Sequence, residues 1–281
     1  MIPEVLQDLS GSVLSKVIES NLYAFLPFSH NWPQADVYTG REISWCITDI
    51  PFPSCNSVFR AQLHPEHIDS TIQSLIARGR NRNVPLQWWI GQDTTPVNLG
   101  KYLIAHGFTR FGDGAGMAID LLAMKENIPA PSALAIMHVN DTGNLKTWCR
   151  ITAAGFGMPA VAEPALLKWF TTCIDLKLPL KFYLGWCDRK PVSTSLLFLS
   201  KGVAGIYFVA TIPEARRQGI GFAVTLKALQ EARKMGYRVG ILQASKMGEP
   251  VYRKMGFQKY CKISSYIWMN EPQKPLEDKR P

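Results

Sequence analysis

The stretch that decides the fold is IYFVATIPEARRQGIG, which runs from Ile206 to Gly221. It begins with an apolar run typical of a buried strand and ends where a helical pattern starts. Gly219 and Gly221 lie at this junction, where glycine lets the backbone turn tightly and lets a ligand approach the amides. A helix start offers unpaired amides and a positive dipole end. We therefore predict a pyrophosphate-binding loop, with Arg216 and Arg217 adding positive charge beside it.

Two glycines alone do not establish a ligand site, because a tight turn that binds nothing has the same pattern. The Walker-type motif G-x-x-x-x-G-K-[ST] is absent, and the dinucleotide fingerprint needs a third glycine, whereas Thr225 lies too far along the chain to help. The segments on either side of the loop are therefore needed to distinguish a pyrophosphate site from a structural turn.

Strands and helices alternate irregularly around this loop, which predicts an α/β fold with a mixed sheet flanked by helices. Helices are predicted at 163–176, 221–235 and 248–255. Strands are predicted at 134–139, 180–186, 192–199, 205–211, 239–244, 257–263 and 265–269.

The pattern Arg216-x-x-Gly219-x-Gly221 after a strand resembles the acetyl-coenzyme A signature of the GNAT superfamily of N-acetyltransferases. The downstream segment Tyr252-Arg-Lys-Met-Gly256-Phe257 is similar to the family's Tyr-x-x-x-Gly-Phe. This resemblance covers residues 134–269. It implies an enzyme that transfers acetyl from acetyl-coenzyme A to a primary amine by direct attack, without an acyl-enzyme.

The resemblance also implies roles for individual residues. Tyr252 corresponds to the general acid that protonates the departing thiolate, with a core aromatic as the alternative. Ser245 corresponds to a coenzyme contact, but it could also cap the next helix. The implied coenzyme-binding residues are Val209, Ala210, Thr211, Arg216, Arg217, Gln218, Gly219, Ile220, Gly221, Phe222 and Ser245.

A general base for the acceptor amine is not evident. The segments 205–211 and 239–244 contain no carboxylate, and Glu249 is expected to begin a helix turn or to face solvent. A base from the N-terminal half, a water relay and an amine that is already partly neutral all remain open.

The N-terminal half contains a faint repeat of the C-terminal half. Leu103-Ile-Ala-His-Gly107-Phe108 is similar to the segment that begins at Tyr252, but this half has no Arg-x-x-Gly-x-Gly. We therefore predict two tandem domains of the same fold: a degenerate GNAT-like domain at 1–128 and a coenzyme-binding domain at 129–270, followed by a flexible tail at 271–281. The first domain could form a wall of the acceptor pocket, with Asn56 and Trp88 as substrate-binding candidates, or these residues could be structural.

Charge is divided unequally between the halves. Residues 1–128 carry 9 basic and 12 acidic residues, whereas the remainder carries 22 basic and 10 acidic residues. The basic half suits the phosphates of coenzyme A. Nucleic acid is a less favoured partner, because no stacking or helix-turn-helix signature accompanies the basic residues.

Composition sets further expectations. The sequence has no apolar run of about 20 residues and no signal-peptide pattern at its start, which predicts a cytoplasmic protein without a membrane partner. The six cysteines form no C-x-x-C pair and are expected to be reduced thiols. His64, His67 and Asp69 are better explained as a helix start than as a metal site, so no metal is predicted.

The favoured function is N-acetylation of a small metabolite amine. The alternatives are N-terminal acetylation of a protein or peptide, and a coenzyme A-binding regulator that has no transferase activity. The acyl-chain preference, the acceptor and the oligomeric state cannot be deduced from the sequence.

Overall fold

The structure is a computed structural model that describes residues 4–25, 34–126 and 131–270. The predicted boundary between residues 128 and 129 and the predicted tail at 271–281 lie outside these residues. The helices are α1 (Gly11–Phe25), α2 (Ile68–Arg82), α3 (Leu99–Ala105), α4 (Thr142–Phe156), α5 (Ala162–Asp175), α6 (Ile220–Lys234) and α7 (Glu249–Met255). The strands are β1 (Asp36–Thr39), β2 (Ser44–Ile47), β3 (Asn56–Phe59), β4 (Leu86–Ile90), β5 (Thr109–Asp120), β6 (Leu134–His138), β7 (Leu180–Cys187), β8 (Lys190–Ser200), β9 (Val203–Thr211), β10 (Val239–Ala244) and β11 (Gln258–Trp268).

The chain forms two compact units that are not consecutive in sequence. Unit 1 is drawn from Met1–Trp32 and Asp113–Ile263, and unit 2 is drawn from Pro33–Gly112 and Ser264–Pro281. This division differs from the predicted one, because α1 belongs to unit 1 and the end of β11 belongs to unit 2. The predicted domains at 1–128 and 129–270 follow the repeat in the sequence and stay a prediction.

Unit 1 has a mixed sheet in the order β6-β7-β8-β9-β10-β5-β11. Only β9 and β10 are paired in parallel among the strand pairs whose register is defined here, and the others are antiparallel. Helices α6 and α7 cover one face through an apolar core that includes Phe222, Leu229 and Met255. Helices α1, α4 and α5 cover the other face, where rings such as those of Trp148 and Phe170 pack edge to face.

Unit 2 has a smaller sheet in the order β1-β2-β3-β4-β11, with a parallel pair between β3 and β4. Its core joins α2 and α3 to the sheet and includes Trp88, Leu103 and Trp268. The element order β3-α2-β4-α3-β5 repeats the order β9-α6-β10-α7-β11. In both copies the last helix ends in a glycine with positive φ, at Gly107 and Gly256, as the predicted repeat requires.

Two expectations about secondary structure need correction. The strands predicted at 257–263 and 265–269 are one strand, β11, because Ser264 and Ser265 continue the ladder by pairing with β4. Helix α4 was not predicted, although Asp141 supplies a sequence signal: its carboxylate accepts a hydrogen bond from the Asn144 amide and so caps the helix start. No helix among the described residues is long and apolar enough to cross a membrane.

Candidate active site

The central feature of unit 1 is a separation of the two parallel strands. β9 and β10 are paired only as far as Ile206 and Leu242. Beyond that point Gln243 and Ala244 are paired with β5 on one side, while residues 207–211 are paired with β8 on the other. The backbone edges that face each other are therefore unpaired over the ends of both strands. We call this V-shaped gap the strand opening.

A β-bulge bends β9 at the start of the strand opening. Tyr207 is paired with Leu196 and Ala210 with Thr194, so Phe208 and Val209 together face a single residue of β8. Phe208 has φ 48°, a left-handed conformation that is uncommon for an aromatic residue. Its carbonyl oxygen accepts a hydrogen bond from the Thr194 hydroxyl at 3.0 Å. The bulge turns the end of β9 away from β10.

The predicted phosphate loop lies next to this opening and leads into α6. Gly219 has φ 78° and precedes the first residue of the 15-residue helix. Among the described residues, none of the backbone amides from Arg217 to Phe222 donates to a backbone carbonyl. Six neighbouring donors at the positive end of a helix form an anion-binding cradle.

The space around Gly221 indicates whether the cradle is open to a ligand. A Cβ atom added at Gly221 would have one neighbour, the Thr211 hydroxyl oxygen at an ordinary 3.5 Å. The protein itself therefore has room for a side chain at this position. The glycine instead leaves the neighbouring amides open to an anionic group from outside the protein.

Arg216 makes two hydrogen bonds within the protein. Its Nε donates to the Thr211 carbonyl at 3.1 Å, and its Nη2 donates to the Gly155 carbonyl at 2.7 Å. The side chain therefore ties the loop to the end of β9 and to the last turn of α4. Arg217 and Gln218 are exposed at the loop, where the Arg217 charge is available to an anion.

Tyr252 lies on α7 at the α6 side of the sheet. Its ring contacts Phe257 edge-on at 5.8 Å between centroids, and its hydroxyl lies beside Thr225 in α6. Thr225 itself donates to the Gly221 carbonyl at 2.9 Å, so the phenol lies close to the first turn of α6. Burial raises the pKa of Tyr252 to about 12, which keeps the phenol protonated and able to donate at neutral pH.

The remaining coenzyme candidates lie around the strand opening. Val209 is half-buried and packs on the apolar core, Ala210 is buried, and the Thr211 hydroxyl lies 3.0 Å from that of Ser193. The Ser245 hydroxyl accepts a hydrogen bond from the Gly248 amide at 3.1 Å, within the turn that precedes α7. Ser245 is otherwise exposed at the end of β10.

Comparison with known proteins identifies this arrangement. Residues 201–260, which span β9, α6, β10, α7 and the start of β11, match the family model described as an acetyltransferase (GNAT) domain. The chain carries a GNAT acetyltransferase domain. The predicted enzyme class, an acyltransferase, is confirmed at the level of this domain.

Several solved structures have the same fold as units 1 and 2 of this chain. A GCN5-related N-acetyltransferase from Kribbella flavida is similar with a TM-score of 0.66 and 16% identity, covering 98% of this chain and 100% of that chain. A GCN5-related N-acetyltransferase from Sphaerobacter thermophilus has a TM-score of 0.59 and 18% identity, covering 86% of this chain and 78% of that chain. A tandem GNAT protein from the clavulanic acid biosynthesis pathway has a TM-score of 0.54 and 14% identity, covering 86% of this chain and 85% of that chain. A search of curated proteins finds no match.

The two substrate-binding candidates of the N-terminal half have structural contacts within unit 2. The side chain of Asn56 accepts from the Thr48 amide at 2.8 Å and donates to the carbonyls of Ile50 and Phe52. Trp88 is fully buried in the core, where its ring packs edge-on against Phe108. The substrate-binding role of both residues stays a prediction.

No carboxylate is placed in the strand opening by the described parts of β9 and β10. Glu249 at the start of α7 accepts hydrogen bonds from Arg253 at 2.9 and 2.6 Å, and this ion pair occupies the carboxylate. The described residues also contain no group of three or more side chains suited to a metal ion.

Sequence reasoning missed three polar residues of the GNAT domain, Asn21, Tyr207 and Gln243. They lie on the sheet face opposite α6, where the Tyr207 hydroxyl donates to the Asn21 side chain at 2.7 Å across 186 positions of sequence. No local pattern signals such a contact. The position of Gln243 just after the last parallel pair is its only distinguishing mark.

Proposed function

We propose that this protein is an N-acetyltransferase that transfers acetyl from acetyl-coenzyme A to a primary amine of a small metabolite. The observation that carries the proposal is the cradle of six amides, Arg217 to Phe222, which donate to no backbone carbonyl in the described part of the chain and lie at the edge of the strand opening. A cradle beside two separated strands offers amides to the pyrophosphate and a free strand edge to the pantetheine arm.

The roles of the residues follow from their positions. The backbone from Val209 to Thr211 would hold the pantetheine amides, and an amide near Val209 would stabilise the oxyanion that forms during attack. Arg217 would attract the pyrophosphate, and Arg216 would keep the loop in shape through its two carbonyl contacts. Tyr252 would protonate the thiolate as it leaves, because its raised pKa keeps the proton available.

Unit 2 supports the idea of a degenerate second copy. The segment between β3 and α2 corresponds to the cradle loop by element order, but it contains a turn at Pro65–His67 instead of the two glycines. Glu66 and Asp69 lie in that turn and in the first turn of α2. Negative charge at a helix start opposes binding of a phosphate, so we assign the coenzyme to unit 1 alone.

The basic residues of the C-terminal half favour the coenzyme over nucleic acid. Between Arg216 and Lys262 there are 11 basic and 2 acidic residues. Five of these basic side chains are paired with carboxylates of unit 1, namely Lys227, Arg233, Arg238, Arg253 and Lys262. All six cysteines are free thiols, which agrees with a proposed cytoplasmic location.

Thermal unfolding with and without acetyl-coenzyme A tests the cofactor site. Ligand at about 100 times its dissociation constant adds about 2.7 kcal/mol, which raises the midpoint by about 5 °C for a protein of this size. The variant Gly221→Glu should lose this shift because a carboxylate then occupies the cradle. Its own midpoint should not fall, since the added side chain has room and an acid in the first helical turn is favourable.

The matched control is Lys234→Gln, which removes one positive charge at the exposed far end of α6. This variant should keep the full shift. Thiol release in the presence of an amine panel then separates an enzyme from a regulator. A coenzyme-induced shift without thiol release from any amine would favour the regulator, and equal shifts in the native protein and Gly221→Glu would overturn the cofactor site.

A further inference from the structure

The bulge of β9 is held by a hydroxyl group of the neighbouring strand. The Thr194 hydroxyl on β8 donates to the Phe208 carbonyl at 3.0 Å. Phe208 has φ 48°, and a residue other than glycine stays in such a conformation only where its surroundings hold it there. Phe208 and Val209 are also the two residues of β9 that have no register partner in β8. A side chain therefore supplies a contact at the point where the regular pairing of the two strands is interrupted.

This contact fixes the orientation of the Val209 amide. The Phe208 carbonyl and the Val209 N–H belong to one planar trans peptide group, so they point in opposite directions. Since the carbonyl faces the Thr194 hydroxyl, the N–H faces away from it. A hydrogen bond to the carbonyl also polarises the peptide group, which makes its N–H a stronger donor. Thr194 thereby sets both the direction and the strength of a donor at the strand opening.

Thr194 is supported in turn by α4. The Thr152 hydroxyl donates to the Thr194 hydroxyl oxygen at 3.1 Å, so the two hydroxyls and the Phe208 carbonyl form a chain that runs in one direction. Both threonines are completely buried, which keeps water from competing for these bonds. About one turn further along α4, the Gly155 carbonyl accepts a hydrogen bond from Arg216 at 2.7 Å. Helix α4 therefore supports the bulge and the phosphate loop from the same side.

We propose that Thr194 is a positioning residue for acetyl transfer: its hydroxyl, supported by Thr152, aims the Val209 amide at the carbonyl oxygen of the thioester. This inference rests on the proposed acetyltransferase function and assigns further residues to the same site. Negative charge develops on that oxygen as the amine attacks, so the amide binds it more tightly in the transition state than in the thioester. Because buried hydroxyls set the peptide plane, the amide is already oriented before the coenzyme binds.

Acetyl-coenzyme A with a ¹³C label at the acetyl carbonyl tests the proposal without any acceptor amine. A hydrogen bond to a carbonyl oxygen moves the ¹³C resonance downfield and lowers the C=O stretching frequency. We expect both changes when the labelled compound binds the native protein. Thr194→Val keeps the shape of the side chain but removes the hydroxyl, so it should lose most of both changes. Thr194→Ser should retain them, and Thr152→Val should lose a smaller part.

Steady-state kinetics give a second readout, with the amine that the native protein acetylates fastest. Thr194→Val should lower kcat by at least about tenfold, since loss of a whole oxyanion donor costs about 100-fold or more, while KM for acetyl-coenzyme A changes little. Thr194→Ser should restore most of kcat. The matched control is Ser195→Ala, which removes the next hydroxyl of β8; its Oγ is buried and has no hydrogen-bond partner among the described residues. This control should keep the native carbonyl signal and the native kcat.

The outcomes separate this inference from the function on which it rests. A native carbonyl signal equal to that of free acetyl-coenzyme A, or an unchanged signal in Thr194→Val, overturns the inference while the coenzyme-induced thermal shift stands. Equal losses in Thr194→Val and Thr194→Ser also overturn it, because the hydroxyl is then not the cause. If Thr194→Val does not fold, Thr152→Val decides: a partial loss supports the inference and a full native signal overturns it. Absence of the thermal shift in the native protein overturns the proposed function, and the inference fails with it.

Discussion

Tyr252 is the side chain whose chemistry can be tested most directly. Its hydroxyl lies beside Thr225, near the first turn of α6, and burial raises its pKa to about 12. We predict that Tyr252→Phe lowers kcat by about 100-fold, within the range for loss of a general acid, while KM for acetyl-coenzyme A changes little. Because the raised pKa keeps the phenol protonated, the native kcat should not decline between pH 7 and pH 10 through ionisation of this group.

The matched control is Tyr237→Phe, since Tyr237 is also buried in the core under α6 and its pKa is also raised by burial. Initial rates of thiol release across the pH range measure both variants. Full activity in Tyr252→Phe would show that a water molecule protonates the thiolate, and equal losses in both variants would point to a packing effect.

The two arginines of the predicted phosphate loop differ in their contacts. Arg216 donates to the carbonyls of Thr211 and Gly155, whereas Arg217 is exposed and has φ 62°. We predict that Arg216→Met lowers the free energy of unfolding by about 1–3 kcal/mol, because two charge-assisted hydrogen bonds are lost. Arg217→Met should change the unfolding free energy by less than about 0.5 kcal/mol.

Coenzyme binding should distinguish the two arginine variants in a second way. Loss of Arg217 removes a charge near the pyrophosphate, so the difference from the native affinity should shrink as salt is added. Loss of Arg216 changes the shape of the loop, so its effect should persist at high salt. Urea unfolding and titration with acetyl-coenzyme A at two ionic strengths measure these effects. A stable Arg216→Met with salt-dependent binding would reverse the assignment.

The elements of the coenzyme side could be predicted because their signals are local. Glycines at 219, 221 and 256, an apolar strand and a helical period lie within about 50 residues, and each has a direct structural consequence. The contact between Asn21 and Tyr207 could not be predicted in the same way. Asn21 meets Tyr207 only because α1 packs across the sheet of unit 1, and that packing depends on contacts between distant parts of the chain.

At the scale of the whole molecule, the units are built from interleaved segments. The sequence repeat indicates two similar halves divided near residue 128, whereas the compact units take segments from both halves. β5 begins in unit 2 and continues beside β10 in unit 1, and β11 begins in unit 1 and ends beside β4 in unit 2. A periodic pattern identifies each strand but does not identify its neighbour, so this exchange of strands was not predictable.

Because β11 contributes to the core of unit 2, we predict that residues 1–128 do not fold as an independent domain. A fragment with this range lacks Tyr266 and Trp268, which are buried in the core of unit 2 and belong to β11. Loss of one large aromatic side chain from a core costs about 3–5 kcal/mol, and whole domains are stable by only about 5–15 kcal/mol. The fragment also retains α1, whose apolar face would be exposed without the sheet of unit 1. We expect no cooperative thermal transition in circular dichroism and tryptophan fluorescence typical of exposed rings, whereas the full chain should unfold cooperatively.

The full-length variant Trp268→Ala should be destabilised by a similar amount per ring, which ties the fragment's failure to the missing strand. A fragment that melts cooperatively would show that the N-terminal half contains a sufficient core without β11, and the consecutive division near residue 128 would then describe the folding units better than the interleaved one.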